Sequence, residues 1–322
     1  RREVLGIVWG GADKADAALD TGKLKAISSV LALPPLPATW RELVAFAARY
    51  YQRSLGEVAL AALPPQLRDW TPEQLARKLK KLAKQAQTAK QSENPEEKVS
   101  CSGSIDGLNA QKDPEKTLNA AQAAACAAIA AAQSEMGSKP ILLFGRTGSG
   151  KTEVYMQAAA ATLAASPTAQ VLVLVPEINL TPQLLAQFGQ RFAHLGTDAV
   201  VSMHSAMAPA ERSTAWLAAH NGQARIILGT RLAIFASLPD LRLIVVDEEH
   251  DASYKAQDGA RHSARDLAVY RAKLESERLQ ERQNPASCAV VLGSATPSLE
   301  SWQAAQTGRY QLCELPERIG SG

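Results

Sequence analysis

Cysteine is scarce in this chain and badly spaced for chemistry. Cys101, Cys126, Cys288 and Cys313 stand alone, with no C-x-x-C pair, so the sequence supplies no zinc ligand set. Cys126 and Cys288 read as small core residues. Charge of one sign is lacking as well: the formal net charge is +3, with 21% of residues charged. That is no nucleic-acid footprint, and on charge alone the chain reads as an ordinary soluble protein. No apolar run is long enough to span a bilayer and no signal pattern opens the chain, which reads as a cytoplasmic protein with no membrane partner. A length of 322 residues fits one large α/β domain plus something smaller.

What is present is a phosphate loop. Gly145-Arg146-Thr147-Gly148-Ser149-Gly150-Lys151-Thr152 satisfies G-x-x-x-x-G-K-[ST]. Ile141 to Phe144 before it is a short buried-strand run, and Lys151 to Ala160 reads as a helix. A strand, a glycine turn and a helix start aim backbone N–H groups and a positive dipole end at one point. Lys151 is placed to reach the β- and γ-phosphates of ATP, and Thr152 to offer its hydroxyl to Mg²⁺.

A second motif turns a nucleotide site into a reaction site. Leu241 to Val246 is a short apolar run that ends in Asp247-Glu248-Glu249-His250. This is a buried parallel strand with acids at its carboxyl edge, where ligands of open α/β sheets sit. Asp247 is placed to hold Mg²⁺, largely through water. Glu248 is placed to orient or deprotonate the attacking water.

From Leu118 strand and helix signals alternate, with strand cores at Ile141–Phe144, Val171–Val175, Ala199–Met203, Arg225–Leu228, Leu243–Val246 and Ala289–Leu292. Alternation of this kind predicts a mainly parallel sheet with helices on both faces, a RecA-like phosphate-loop NTPase lobe over residues 117–318. Residues 1–68 read as a partial small α+β module: strand-like runs at Arg2–Trp9 and Lys23–Leu31, then helical spacing from Trp40 to Tyr51 and a capping box at Ser54-Leu55-Gly56-Glu57. Residues 69–116 read as a basic helix, with an apolar stripe of Leu75, Leu79, Leu82 and Ala86, followed by a polar linker.

Several short stretches resemble superfamily 2 helicases. Asp-Glu-Glu-His is a DEAD/DEAH-box form. Leu118 to Gln122 resembles an adenine-reading glutamine motif, Val175 to Gln183 motif Ia, Gly229-Thr230-Arg231 motif Ib, and Gly293-Ser294-Ala295-Thr296-Pro297 motif III. Gly145 to Tyr155, Pro176 to Gln183, Asp247 to Lys255 and Ala264 to Ala272 together resemble the bacterial replication-restart helicases, the primosomal protein N′ family. The resemblance is strong from about Leu118 to about Leu315 and fainter from Arg1 to about Arg68.

That resemblance implies an ATP-dependent 3′→5′ DNA helicase that recognises stalled or abandoned forks and promotes primosome assembly. Implied partners are single-stranded and forked DNA, primosome loading proteins and single-stranded DNA-binding protein. It implies that Gln122 reads adenine, that Gly145 to Thr152 bind nucleotide, and that Lys151, Asp247 and Glu248 are catalytic. Thr230 and Arg231 would meet the DNA backbone, although Arg231 reads equally as a surface salt-bridge partner. Ser294 and Thr296 would link the site to DNA, or else cap the following helix. Tyr254 to Ser263 resembles the family's DNA-sensing loop, with Tyr254, Arg261 and His262 as contacts; Ala260 and His262 stand where a large apolar residue and a tyrosine are common. The competing reading packs Tyr254 on the lobe.

Residues 1–68 resemble the end of the family's domain for a nascent 3′ end, with Lys25 in its pocket or simply on an exposed strand. Tyr50 and Tyr51 read as helix packing. The family's winged helix is expected to be missing or degenerate, and its zinc-binding cysteines have no counterpart here. The chain starts at Arg1 without methionine and stops at Gly322, soon after motif III. It reads as a fragment without the second lobe, which supplies the arginine finger in this superfamily, so slow hydrolysis and no unwinding are expected of it alone. An ATP-binding module that recognises DNA structure without turnover is the alternative.

Overall fold

Seven short apolar segments make one sheet. The computed structural model of the protein describes residues 6–9, 27, 29–68, 70–91, 118–135, 137–196, 198–257, 259 and 261–318. Its strands are β1 (Ile141–Gly145), β2 (Gln170–Leu174), β3 (Val200–Met203), β4 (Ile226–Gly229), β5 (Leu241–Val246), β6 (Lys255–Ala256), β7 (His262–Ser263), β8 (Ala289–Ser294) and β9 (Gln311–Leu315). The main sheet runs β3-β4-β2-β5-β8-β1-β9, and every neighbouring pair is parallel. β6 and β7 form a separate antiparallel ladder.

The helices are α1 (Ala38–Tyr50), α2 (Leu55–Ala61), α3 (Pro72–Gln91), α4 (Ala120–Ser134), α5 (Lys151–Ala165), α6 (Pro182–Arg191), α7 (Pro209–His220), α8 (Ala264–Glu281) and α9 (Leu299–Gln306). Successive strand residues point to opposite faces. Leu142, Leu172, Ile227, Ile244 and Leu292 enter one core, shared with α1, α2, α3, α7 and α8. Ile141, Val171, Ile226, Leu243 and Val291 enter the other, under α4, α5 and α6. Cover on both faces is why these strands read as nearly continuous apolar runs.

All six strand cores legible in the sequence form. β9 was not legible, because Gln311 and Glu314 interrupt its apolar pattern, which an edge strand tolerates. Of the strand-like runs Arg2–Trp9 and Lys23–Leu31, residues 2–5, 23–26 and 28 lie outside the described residues. Their described parts, 6–9, 27 and 29–31, join no ladder, and Val8, Ile27 and Val30 are exposed. Lys25 lies outside the described residues, as does the interval 92–117 in which a winged helix was expected to be missing.

The helical part of the small module docks on the lobe. Trp40, Leu43, Val44 and Ala47 form one buried face of α1 at helical spacing. The Trp40 indole Nε1 donates to the Phe235 carbonyl at 2.7 Å, and the Thr39 hydroxyl donates to Glu275 at 2.9 Å. Phe46 stacks on Tyr270 of α8 with ring centroids 3.8 Å apart. Ser54 caps α2 by accepting the Glu57 N–H, as its spacing predicts. Leu75 and Leu82 of α3 reach the same core, and Leu79 packs beside them. Leu75, Leu79 and Leu82 of its apolar stripe are thus turned to the lobe.

Candidate nucleotide site and nucleic-acid face

The order β5-β8-β1 sets three carboxyl ends side by side. β1 runs into the phosphate loop, β5 into Asp247-Glu248-Glu249-His250, and β8 into Ser294-Ala295-Thr296. The loop turns through Gly148 and Gly150, both at φ +83°, a region that L side chains rarely adopt. Gly145 is required for a different reason: a Cβ there would lie 2.9 Å from Leu315 Cβ and 2.5 Å from Ser149 Oγ.

Lys151 opens α5 and is almost fully buried. Its ammonium donates to the Gly145 carbonyl at 2.9 Å and lies 3.5 Å from Glu248 Oε1, so the loop and the second motif meet through it. Glu248 has φ +45°, a strained backbone for a non-glycine residue that costs on the order of 1 kcal/mol. Its other carboxylate oxygen lies 3.7 Å from His250 Nδ1. Asp247 is held at 3.0 Å by the Tyr155 hydroxyl. Burial, reinforced by the Glu248 charge, pushes the Asp247 carboxyl above its usual range, against the pull of Tyr155 and Lys151.

The residues present fit a magnesium-bound nucleoside triphosphate. Ser149 Oγ is buried without a hydrogen-bond partner beside the loop. The N–H groups of Lys151 and Thr152 open α5 without partners within the helix, and Lys151 supplies a cation. Thr152 and Asp247 carry the oxygen ligands that Mg²⁺ prefers. Arg146 and Arg318 border a cleft of about 300 Å³ with Thr147 and Ala295. The Arg318 guanidinium donates to the Thr147 carbonyl at 3.2 Å.

Gln122 is not open to a base. It is 2% exposed, and both polar ends of its amide are engaged. Oε1 accepts the Asn119 N–H in a capping box that starts α4, and Nε2 donates to the Ser149 carbonyl at 3.1 Å. In this structure Gln122 positions the phosphate loop.

The third motif bonds to the second. Ser294 Oγ lies 2.8 Å from His250 Nδ1 and accepts the Thr296 N–H, while Thr296 Oγ1 lies 3.3 Å from His250 Nε2. Sequence reasoning missed Glu249. Its buried carboxylate accepts from the Ser298 N–H at 2.7 Å and from the Ser301 hydroxyl at 2.8 Å, and it pairs with Arg265 at 3.3 Å. Glu249 thereby ties the second motif to the starts of α8 and α9. The signal was available: a third acid at a strand end next to a buried sheet needs donors, and Ser298 is a helix N-cap.

The expected DNA contacts separate into two groups. Tyr254 is 1% exposed, His262 4% and Thr230 3%. The Tyr254 hydroxyl meets the carbonyls of Asp247 and Leu174 at 2.5 and 3.0 Å, and His262 packs edge-on to Phe235 with centroids 5.0 Å apart. Neither ring is available to stack on a base, which corrects both assignments. The physical reason is the β6–β7 ladder, which folds the segment back onto the lobe. Arg261 is exposed and Arg231 partly so; Arg231 donates to the Ser253 carbonyl at 3.4 Å.

A parallel α/β sheet with a phosphate loop after β1 and an acid pair at the end of β5, separated from β1 by β8 alone, defines a phosphate-loop nucleotide-binding fold. The DEAD/DEAH box helicase family matches residues 119–305, and the chain belongs to that family. Residues 1–64 match the 3'DNA-binding domain (3'BD). The chain is 36% identical to replication restart protein PriA of Haemophilus influenzae over 348 residues, 93% of this chain and 45% of the relative. It is 42% identical to the PriA of Bacillus subtilis over 181 residues, 56% of this chain and 20% of the relative. With PriA of Rickettsia felis it shares 29% identity over 99% of this chain and 41% of the relative. The chain spans less than half the length of each of these relatives.

Proposed function

We propose that the chain hydrolyses Mg·ATP and couples hydrolysis to 3′→5′ movement on DNA, acting at stalled or abandoned forks where primosome assembly restarts replication. The observation that carries the nucleotide half is the approach of Lys151 to Glu248 across 3.5 Å, between phosphate loop and acid pair. Support for the DNA half is the match of residues 1–64 to a 3'DNA-binding domain and the names of the relatives. Primosome loading proteins and single-stranded DNA-binding protein are the partners this reading carries.

Bound Mg²⁺ would neutralise phosphate charge. Lys151 holds the β- and γ-phosphates, and Glu248 aligns the attacking water and takes its proton. Gln122 keeps the loop in register from below. Arg146 and Arg318 add positive charge at the loop's solvent side; among the described residues no carboxylate pairs with either. Exposed Arg261 and half-exposed Arg231 are the DNA-phosphate contacts of this reading.

The test compares ATP binding and hydrolysis by the chain and by Glu248→Gln. Both should bind ATP, and slow hydrolysis by the parent should fall by about 10²-fold or more in the variant. An ATP-binding parent without any turnover would favour a DNA-structure-recognition module. Equal turnover by the variant would remove Glu248 from the reaction.

A further inference from the structure

Two buried tyrosines converge on Asp247. The Tyr155 hydroxyl donates to its carboxylate Oδ1 at 3.0 Å, and the Tyr254 hydroxyl meets its main-chain carbonyl at 2.5 Å. Tyr155 lies on α5, which also presents Lys151 and Thr152. It stands one helical turn beyond Lys151, on the same face. Its ring crosses to β5 over β8, and β8 is cut away to admit it. A Cβ at Gly293 would stand 1.7 Å from the Tyr155 hydroxyl oxygen and 2.8 Å from Cζ. Gly293 has no positive φ, so what it supplies here is room for the phenol.

We propose that Tyr155 is a positioning residue for the divalent metal. By engaging Oδ1 it fixes the rotation of the Asp247 carboxylate and leaves Oδ2 for the metal's water shell. This deepens, and rests on, the nucleotide-site reading above. The phenol is suited to the task. Tyr155 is 2% exposed, and its hydroxyl brings one O–H donor to the carboxylate. Metal ligands are commonly oriented by outer hydrogen bonds of this kind, and loss of one lowers metal affinity about 10- to 100-fold. Sequence reasoning treated Tyr155 as part of a motif without a role; its function appears only once α5, β5 and β8 are placed together.

The experiment titrates Mg²⁺ into the chain with a fluorescent ATP analogue, for the parent, Tyr155→Phe, Asp247→Asn and the double variant. Tyr155→Phe removes one oxygen and keeps the ring. It should raise the half-saturating Mg²⁺ concentration about tenfold and leave analogue affinity measured in EDTA unchanged. Against Asp247→Asn it should add nothing, because the carboxylate it orients is gone. A folded Tyr155→Phe protein with parental Mg²⁺ dependence overturns the positioning role alone, as does an effect of equal size on the Asp247→Asn background. No analogue binding by the parent overturns the nucleotide reading itself.

Discussion

The Tyr51 hydroxyl accepts the Ser263 N–H at 3.0 Å, joining the end of α1 to the cap of α8. Ser263 is the second residue of β7 and accepts the Asp266 N–H through its own hydroxyl. The helical part of the segment that matches a 3'DNA-binding domain is thus bonded directly to the strand pair that follows Asp-Glu-Glu-His. Tyr51→Phe leaves the Ser263 amide without that acceptor. A buried donor without a partner costs about 1–3 kcal/mol. The expected result is a matching loss in urea stability and faster hydrogen exchange at the Ser263 amide. Unchanged exchange there would show that the bond does not hold the hairpin.

Lys151 is the buried cation of the phosphate loop, and its removal should show in binding before it shows in turnover. A charge-assisted hydrogen bond is worth about 1.5–3 kcal/mol. Lys151→Ala should therefore weaken Mg·ATP binding by about ten- to a hundredfold, measured by titration. Parental affinity in the variant would remove the phosphate-loop assignment.

Much of the site was legible because its chemistry is local. The phosphate loop needs glycines, a lysine and a threonine at fixed spacing, and the acid pair needs only a strand end. What was not legible is which hydrogen-bond partner each side chain takes. Gln122 reads as a nucleotide contact until Asn119 and Ser149 are seen to take both ends of its amide. Glu249 looks like one more loop acid until Ser298, Ser301 and Arg265 surround it. Arg271, named in the sequence only as part of the stretch Ala264 to Ala272, is buried and donates to the carbonyls of Ile234 and Ala236 at 2.6 and 2.8 Å. Among the described residues, 6–9 and 29–31 of the strand-like runs form no ladder. In each case the missing information is a tertiary hydrogen-bond partner.

His220 gives a stability signature with a definite sign. Its Nε2 lies 3.0 Å from the Pro34 carbonyl, which can only accept, so Nε2 carries the proton and Nδ1 accepts from the Ser237 hydroxyl at 2.8 Å. Burial lowers the imidazole below its ordinary 6.5, against the opposing pull of the Pro34 carbonyl. At high pH the ring is neutral in both states and nothing is lost. As pH falls through 6.5 the unfolded ring protonates first, so stability declines until the folded ring protonates too. The decline is at most about 1.4 kcal/mol per pH unit. Urea midpoints between about pH 8 and about pH 5.5 should fall more steeply for the parent than for His220→Gln. Parallel curves would show that His220 is not the group responsible.

Tyr254 and Arg261 sit seven residues apart on one segment, and they should respond in opposite assays. Tyr254 is buried under the second motif, where its hydroxyl meets the Asp247 and Leu174 carbonyls. Arg261 is exposed and donates through Nε to the Gln257 carbonyl at 2.9 Å. If this segment contacts DNA, the contact is ionic and comes from Arg261, because a buried ring cannot stack. Arg261→Ala should weaken single-stranded DNA binding at low salt and flatten its salt dependence by about one phosphate contact, a change of about 0.7 in the logarithmic slope. It should leave thermal stability alone, since substitutions at exposed sites without special contacts usually stay within about 0.5 kcal/mol. Tyr254→Phe should do the reverse. It removes a hydroxyl that two buried carbonyls share, costs about 1–3 kcal/mol of stability, and leaves the salt slope of DNA binding unchanged. A Tyr254→Phe protein with parental stability and weakened DNA binding would put the ring back in contact with bases and overturn the buried assignment.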